Sequence, residues 1–236
     1  MPPADALTGV LRWHKFFGGR FRYYGQVANA IASLAMLLML LATPFWETKP
    51  QAQWDDRELE QMLTDSPWAQ AAQTSGKSDA GTPVIVLFAS ASPIEEAERE
   101  RARRDRLRPR AKSAKASAAG ELDPFTEEYR LWLEDNRGTQ IVVALQVSNT
   151  AAFSDEREVR RMEEESVMQI GRKKIKMSGH FPPTPNDPYL RLAFPRQVQL
   201  TDKSIVLDLY LPGVSIPYRQ AQFTVKDMVV HGKLDL

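Results

Sequence analysis

Three histidines and no cysteine set the limits of the side-chain chemistry open to this chain of 236 residues. His14 lies in a basic N-terminal stretch. His180 and His231 are far apart, with no i,i+4 pair and no H-x-x-x-H spacing, so no histidine metal site is expected. The lack of cysteine excludes disulfides, thiolate catalysis, cysteine-ligated zinc and a lipid-modified cysteine. Ser178-Gly179-His180, with Asp187 seven residues on, supplies the residue types of a nucleophile, base and orienting acid. It has no Gly-x-Ser-x-Gly elbow, and the segment reads as a proline-rich connection rather than a catalytic set. Asp55-Asp56 and Glu163-Glu164-Glu165 read as helix-surface charge, and Gly18-Gly19 lacks the spacing of a phosphate loop. No catalytic residue, metal ligand or cofactor is assigned.

The densest charge is a basic run: Arg99, Arg101, Arg103, Arg104, Arg106, Arg108 and Arg110, continued by Lys112 and Lys115. Such a run offers a patch for anionic headgroups, an envelope polymer or an acidic partner protein. Its plainer reading is a solvated helix and tail. No aromatic residue interleaves it, so base stacking has no support. Thirty-one basic against 30 acidic residues leave +1 overall, which argues against nucleic-acid binding by bulk charge.

The elements that position these residues begin with a membrane segment. Val27–Trp46 is uncharged for 20 residues. A helix of that length reaches about 30 Å, the thickness of a hydrocarbon core. Leu34–Leu41 is apolar around its whole circumference and would need protein on every side if it lay in water. Rings mark both ends of the segment at headgroup depth, Tyr23 and Tyr24 before it and Phe45 and Trp46 at its close. Residues 1–26 carry Arg12, Lys15, Arg20 and Arg22 against Asp5 alone, a balance of +3 that leaves −2 on the rest. That asymmetry puts the N-terminus in the cytoplasm and the body across the inner membrane, in the periplasm. A retained anchor is favoured over a cleaved signal peptide, because no clean Ala-x-Ala site follows. Cleavage would instead release the body into the periplasm.

Residues 47–236 form the exported part. A helix is expected from Trp54, with Asp55, Asp56 and Glu58 suiting its positive end. Pro83–Ala89 is apolar on both faces and predicts a covered central strand. Ser92-Pro93-Ile94-Glu95 reads as a capping box opening a helix to Leu107. A flexible basic loop near 109–121 follows, then a helix over Pro124–Asn136 and a second two-faced strand over Gln140–Val147. Glu156–Val167 predicts a charged helix. Arg172–Met177, Tyr189–Phe194, Ser204–Leu211, Arg219–Val225 and Met228–Leu234 read as strands. The expected class is α+β, a mostly antiparallel sheet with packed helices, preceded by one N-terminal transmembrane or signal helix.

Two blocks carry a resemblance. Trp54-x3-Glu58-Leu59-x2-Met62-Leu63-x2-Ser66-Pro67-Trp68-Ala69 resembles the start of an uncharacterised family of exported bacterial proteins. Phe223-x2-Lys226-Asp227-Met228-Val229-x2-Gly232-Lys233-Leu234-Asp235-Leu236 is similar to that family's ending. The resemblance implies export and a single domain over 54–236, with no assigned activity and no catalytic residue. Many members look like lipoproteins; here a peptide anchor would replace the lipid. The expected role is a membrane-anchored binding or scaffolding domain, its partners membrane lipid through residues 27–46 and an envelope protein or anionic polymer. A carboxylate-based envelope hydrolase or transferase, and an accessory subunit of a membrane complex, are the alternatives.

Overall fold

The structure, a computed structural model, describes residues 44–74, 84–107, 124–147, 149–184 and 187–236. The membrane segment up to residue 43 and the expected loop near 109–121 lie outside them, as do Arg20, Arg22, Tyr23 and Tyr24. Phe45–Leu236 forms one compact unit. No helix among the described residues is long and apolar enough to cross a membrane.

The unit is α+β with an antiparallel sheet, as the alternation and two-faced apolar runs predict. Its helices are α1 (Phe45–Thr48), α2 (Asp56–Thr64), α3 (Ser92–Leu107), α4 (Pro124–Asn136) and α5 (Glu156–Glu165). Its strands are β1 (Ala69–Thr74), β2 (Val84–Phe88), β3 (Gln140–Gln146), β4 (Val167–Ile170), β5 (Lys173–Lys176), β6 (Gly179–Phe181), β7 (Tyr189–Pro195), β8 (Ser204–Tyr210) and β9 (Tyr218–Thr224). A small hairpin, β10 (Val229–Val230) and β11 (Lys233–Leu234), closes the chain.

The nine-stranded sheet runs β5-β4-β8-β9-β1-β2-β3-β7-β6. Its two outermost strands are consecutive in the chain, joined only by Met177 and Ser178. The sheet therefore curls on itself, and Ser178 N–H donates to Ala193 O of β7 at 2.8 Å. β1 makes the opposite corner: Ala69–Ala72 pair with β2, and Gln73 and Thr74 turn to pair with β9. Val86, Phe88, Val143, Leu145 and Leu192 line the inner face on one side; Met168, Ile205, Leu207 and Phe223 line it on the other, all fully buried. Phe88 meets Phe223 edge-on across this interior at 4.7 Å.

β2 and β3 are apolar on both faces because helices cover their outer side. Trp132 and Tyr129 of α4 stand edge-on to Phe181 of β6, each ring pair 5.2 Å apart. α5 lies against β8. α2 opens with a capping box, in which Asp55 Oδ1 accepts from Glu58 N–H at 2.7 Å and Glu58 Oε2 from Asp55 N–H at 2.9 Å.

Phe45 and Trp46, expected at the membrane interface, sit edge-on to Trp54 at 5.3 Å and Trp68 at 5.7 Å respectively. Both residues belong to the compact unit Phe45–Leu236. Helix α3 also differs from expectation at its start. Its first carbonyl is that of Ala91, which accepts from Ile94 and Glu95. Ser92 N–H donates to Asp235 Oδ1 at 2.9 Å, so a carboxylate 143 residues away satisfies this orphan amide. Trp68 Nε1 donates to Asp235 O at 2.7 Å. The two blocks that carried the resemblance therefore touch.

Candidate functional site

The basic run of α3 lies beside α2, and much of its charge is matched. Glu100 is buried at 6% exposure. It accepts from Arg103 Nε and Nη2 and from Arg104 Nε, each at 2.7 Å. These bonds, Arg103's foremost, draw its carboxyl down to about 2. Arg104 also reaches Asp56 at 2.8 Å and the Trp54 carbonyl. Arg101 pairs with Glu60 at 2.5 Å, and Arg99 lies 3.7 Å from Glu95. Arg106 is exposed, while Arg108 and Arg110 lie outside the described residues. An open cleft of about 380 Å³ runs between the two helices, lined by Asp56, Leu59, Glu60, Arg101, Arg104 and Asp105. Its mixed charge suits no single sign of ligand.

The residues of the Ser-His-Asp pattern are dispersed. Ser178 Oγ donates to Gln140 Oε1 at 2.8 Å, His180 Nδ1 lies 3.2 Å from Glu163 of α5, and Asp187 pairs with Arg191 at 2.7 Å. None is placed to activate another. His231 sits at φ +48° beside Gly232 in the turn of the last hairpin, where left-handed backbone is required. Among the described residues no group of three or more His, Asp or Glu could hold a metal ion.

A different cluster forms where α3, α4 and β7 meet, and Arg191 is its centre. β7 places Leu190, Leu192 and Phe194 inward, so Arg191 points to the helix-covered face, where it is 7% exposed. Its guanidinium carbon stands 4.5 Å from the Tyr129 ring centroid and 5.6 Å from that of Tyr189. Desolvated cation–π contacts of this kind are worth about 2 kcal/mol. Asp187 binds one edge of the guanidinium; among the described residues Nε meets no hydrogen-bond partner of good geometry, and the buried Tyr129 hydroxyl has only the nearby Arg191 guanidinium to interact with. Glu98 of α3 completes the group. Burial raises its carboxyl to about 7 against the pull of Arg191, with Asp187 and Glu95 adding to the rise. Burial likewise raises the Tyr129 and Tyr189 hydroxyls.

No protein family, curated protein or solved structure matches this chain.

The Arg191 cluster was not among the residues singled out by spacing. One signal for it exists in the sequence: YLRLAFP is a strand of apolar residues with a lone arginine at its third position. A charge there must either face water or find a counter-charge. What the sequence hides is which acids come near, because Glu98 is 93 positions away. A second aromatic and arginine network ties α5 to β8 and β9. Arg161 donates to Tyr210 and Tyr218 hydroxyls at 3.2 and 3.1 Å, and to Glu165 at 2.7 Å. Those hydroxyls donate in turn to Glu158 and Glu165. Every group in that network is satisfied internally.

Proposed function

We propose that this chain is a membrane-tethered domain of the bacterial envelope that binds or scaffolds another envelope component. The supporting observation is an uncharged apolar run in the sequence ahead of a compact body. Residues 27–44, ahead of the Phe45–Leu236 body, are uncharged for 18 positions, about 27 Å as a helix, close to the thickness of a hydrocarbon core. The four basic residues Arg12, Lys15, Arg20 and Arg22 ahead of the segment support a cytoplasmic N-terminus and a periplasmic body. The resemblance to exported proteins of no assigned activity agrees with this reading.

Two measurements test it. Alkaline washing of membranes should leave the chain in the pellet, and protease added to spheroplasts should digest the body. Release by the wash, or full protection from protease, overturns the tether. A pull-down from solubilised membranes should then recover an envelope component in stoichiometric amount; recovery of the chain alone overturns the binding role.

A carboxylate-using hydrolase or transferase is a second reading, favoured by Glu98. A carboxyl that titrates to about 7 beside a cation and a phenol has the range of a general acid–base group. Loss of polymer hydrolysis in Glu98→Gln, at unchanged folding, would establish it, and absence of any hydrolysis by the native chain would remove it.

A further inference from the structure

Charge is not used evenly across the body. Arg101, Arg103, Arg104, Arg137 and Arg161 each lie within 2.5–2.7 Å of a carboxylate. The β4–β5 hairpin departs from this pattern. Arg172, Lys173, Lys174 and Lys176 put four cations into five residues, and all four are exposed. None is in ion-pair contact with a carboxylate among the described residues. Asp208 of β8 shares the outer face with Lys176 but stands one strand beyond it, across Val167, where it accepts from Gln220 at 2.7 Å; Glu163 of α5 faces His180.

The hairpin is also firmly held. Ile170 pairs with Lys173 across a two-residue turn, Gly171-Arg172, with Gly171 at φ +58°. Met168 and Ile175 pair with each other and are buried in the inner core, at 0% and 5% exposure. That register turns Lys174 and Lys176 to the opposite, outer face of the edge strand, while Arg172 and Lys173 crown the turn. The result is a rigid ribbon presenting cations along one edge and its tip.

We propose that this hairpin docks the body onto a bilayer containing anionic lipid headgroups. Three of the four cations are lysines, mobile point charges suited to a diffuse sheet of phosphates. The hairpin carries no aromatic residue for stacking on bases. The proposal deepens the membrane-tether reading and rests on it for the nearness of the bilayer.

The absence of native cysteine gives a clean experiment on the full chain. Gln169→Cys, opposite Lys174 on the outer face, takes a fluorophore; Leu131→Cys on α4 serves as the remote control. Vesicles carry a headgroup quencher in neutral phosphatidylcholine, with or without about 30% phosphatidylglycerol. Quenching at position 169 should appear with the anionic lipid, exceed that at 131, and vanish at about 0.5 M salt. Changing Arg172, Lys173, Lys174 and Lys176 to Gln should weaken the lipid-dependent signal about fivefold per cation removed. If that variant fails to fold, the lipid and salt dependence of the native hairpin decides alone. Equal quenching in neutral and anionic vesicles, or none in either, overturns the proposal. So does soluble polyphosphate binding at position 169 without vesicle quenching, which would assign the surface to a polymer. Flotation with neutral vesicles reads the tether separately. A chain that does not float has lost the tether reading, while quenching by added anionic vesicles still reports the hairpin.

Discussion

Replacing Glu98 with Gln should stabilise the body at pH 8 and leave it nearly unchanged at pH 4.5. The carboxyl titrates to about 7 in the fold against an ordinary value of 4.5, raised chiefly by burial. Between those two values the folded state holds a proton that the unfolded state has released. Stability therefore falls as pH rises from about 4.5 to about 7, and is flat above. A shift of about 2.5 units corresponds to a ceiling near 3.4 kcal/mol. Glu98 retains partial exposure, so water screens part of its charge and about 1–2 kcal/mol is expected. Gln occupies the same space without ionising, so it removes that loss. Urea unfolding at the two pH values reads the difference. With a slope of about 3 kcal/mol per molar, the variant's midpoint should rise by roughly 0.5 M at pH 8 and stay level at pH 4.5. Equal stabilisation at both pH values would mean a helix-propensity effect. Destabilisation at pH 8 would mean that an ionised Glu98 is a net partner of Arg191. Either result refutes the reasoning.

Three further substitutions probe the elements that hold the site. Asp235→Ala removes the acceptor of Ser92 N–H and should cost about 1 kcal/mol in denaturant unfolding, whereas Asp235→Asn, which keeps an acceptor oxygen, should cost less. Gly213→Ala should be among the worst single changes in a thermal unfolding series. Gly213 has φ +75°, and an added Cβ would stand 2.3 Å from Ala152 Cβ, so about 2–4 kcal/mol is expected, partly recovered by Ala152→Gly. Trp46→Ala should lower the unfolding midpoint by the equivalent of about 1–2 kcal/mol, because its ring packs on buried Trp68; no change would mean that Trp46 contributes nothing to the body.

What the sequence makes legible is what local periodicity encodes. Val84–Phe88 and Gln140–Gln146 are apolar on both faces, and both strands lie between an inner core and covering helices. The charged helix α3 declares itself through i,i+4 spacing, and Glu100 does bind Arg104. β1 was not legible. AQAAQT has no large apolar residue, and its strand character comes from two neighbours, β2 and β9, far along the chain. The charged groups divide along the same line. Composition shows nine basic residues between Arg99 and Lys115 and marks that run as the patch. Folding brings Glu60 and Asp56 across from α2 to Arg101 and Arg104, which no spacing along α3 could reveal. The shorter run Arg172–Lys176 is less conspicuous, yet its strand geometry projects Lys174 and Lys176 away from the core, and among the described residues neither is in ion-pair contact with a carboxylate. Electrostatic reach is set by what remains unpaired after folding, since a matched charge projects a dipole and an unmatched one a field. On that ground the proposed docking surface is the hairpin, whose four cations stay out of ion-pair contact among the described residues.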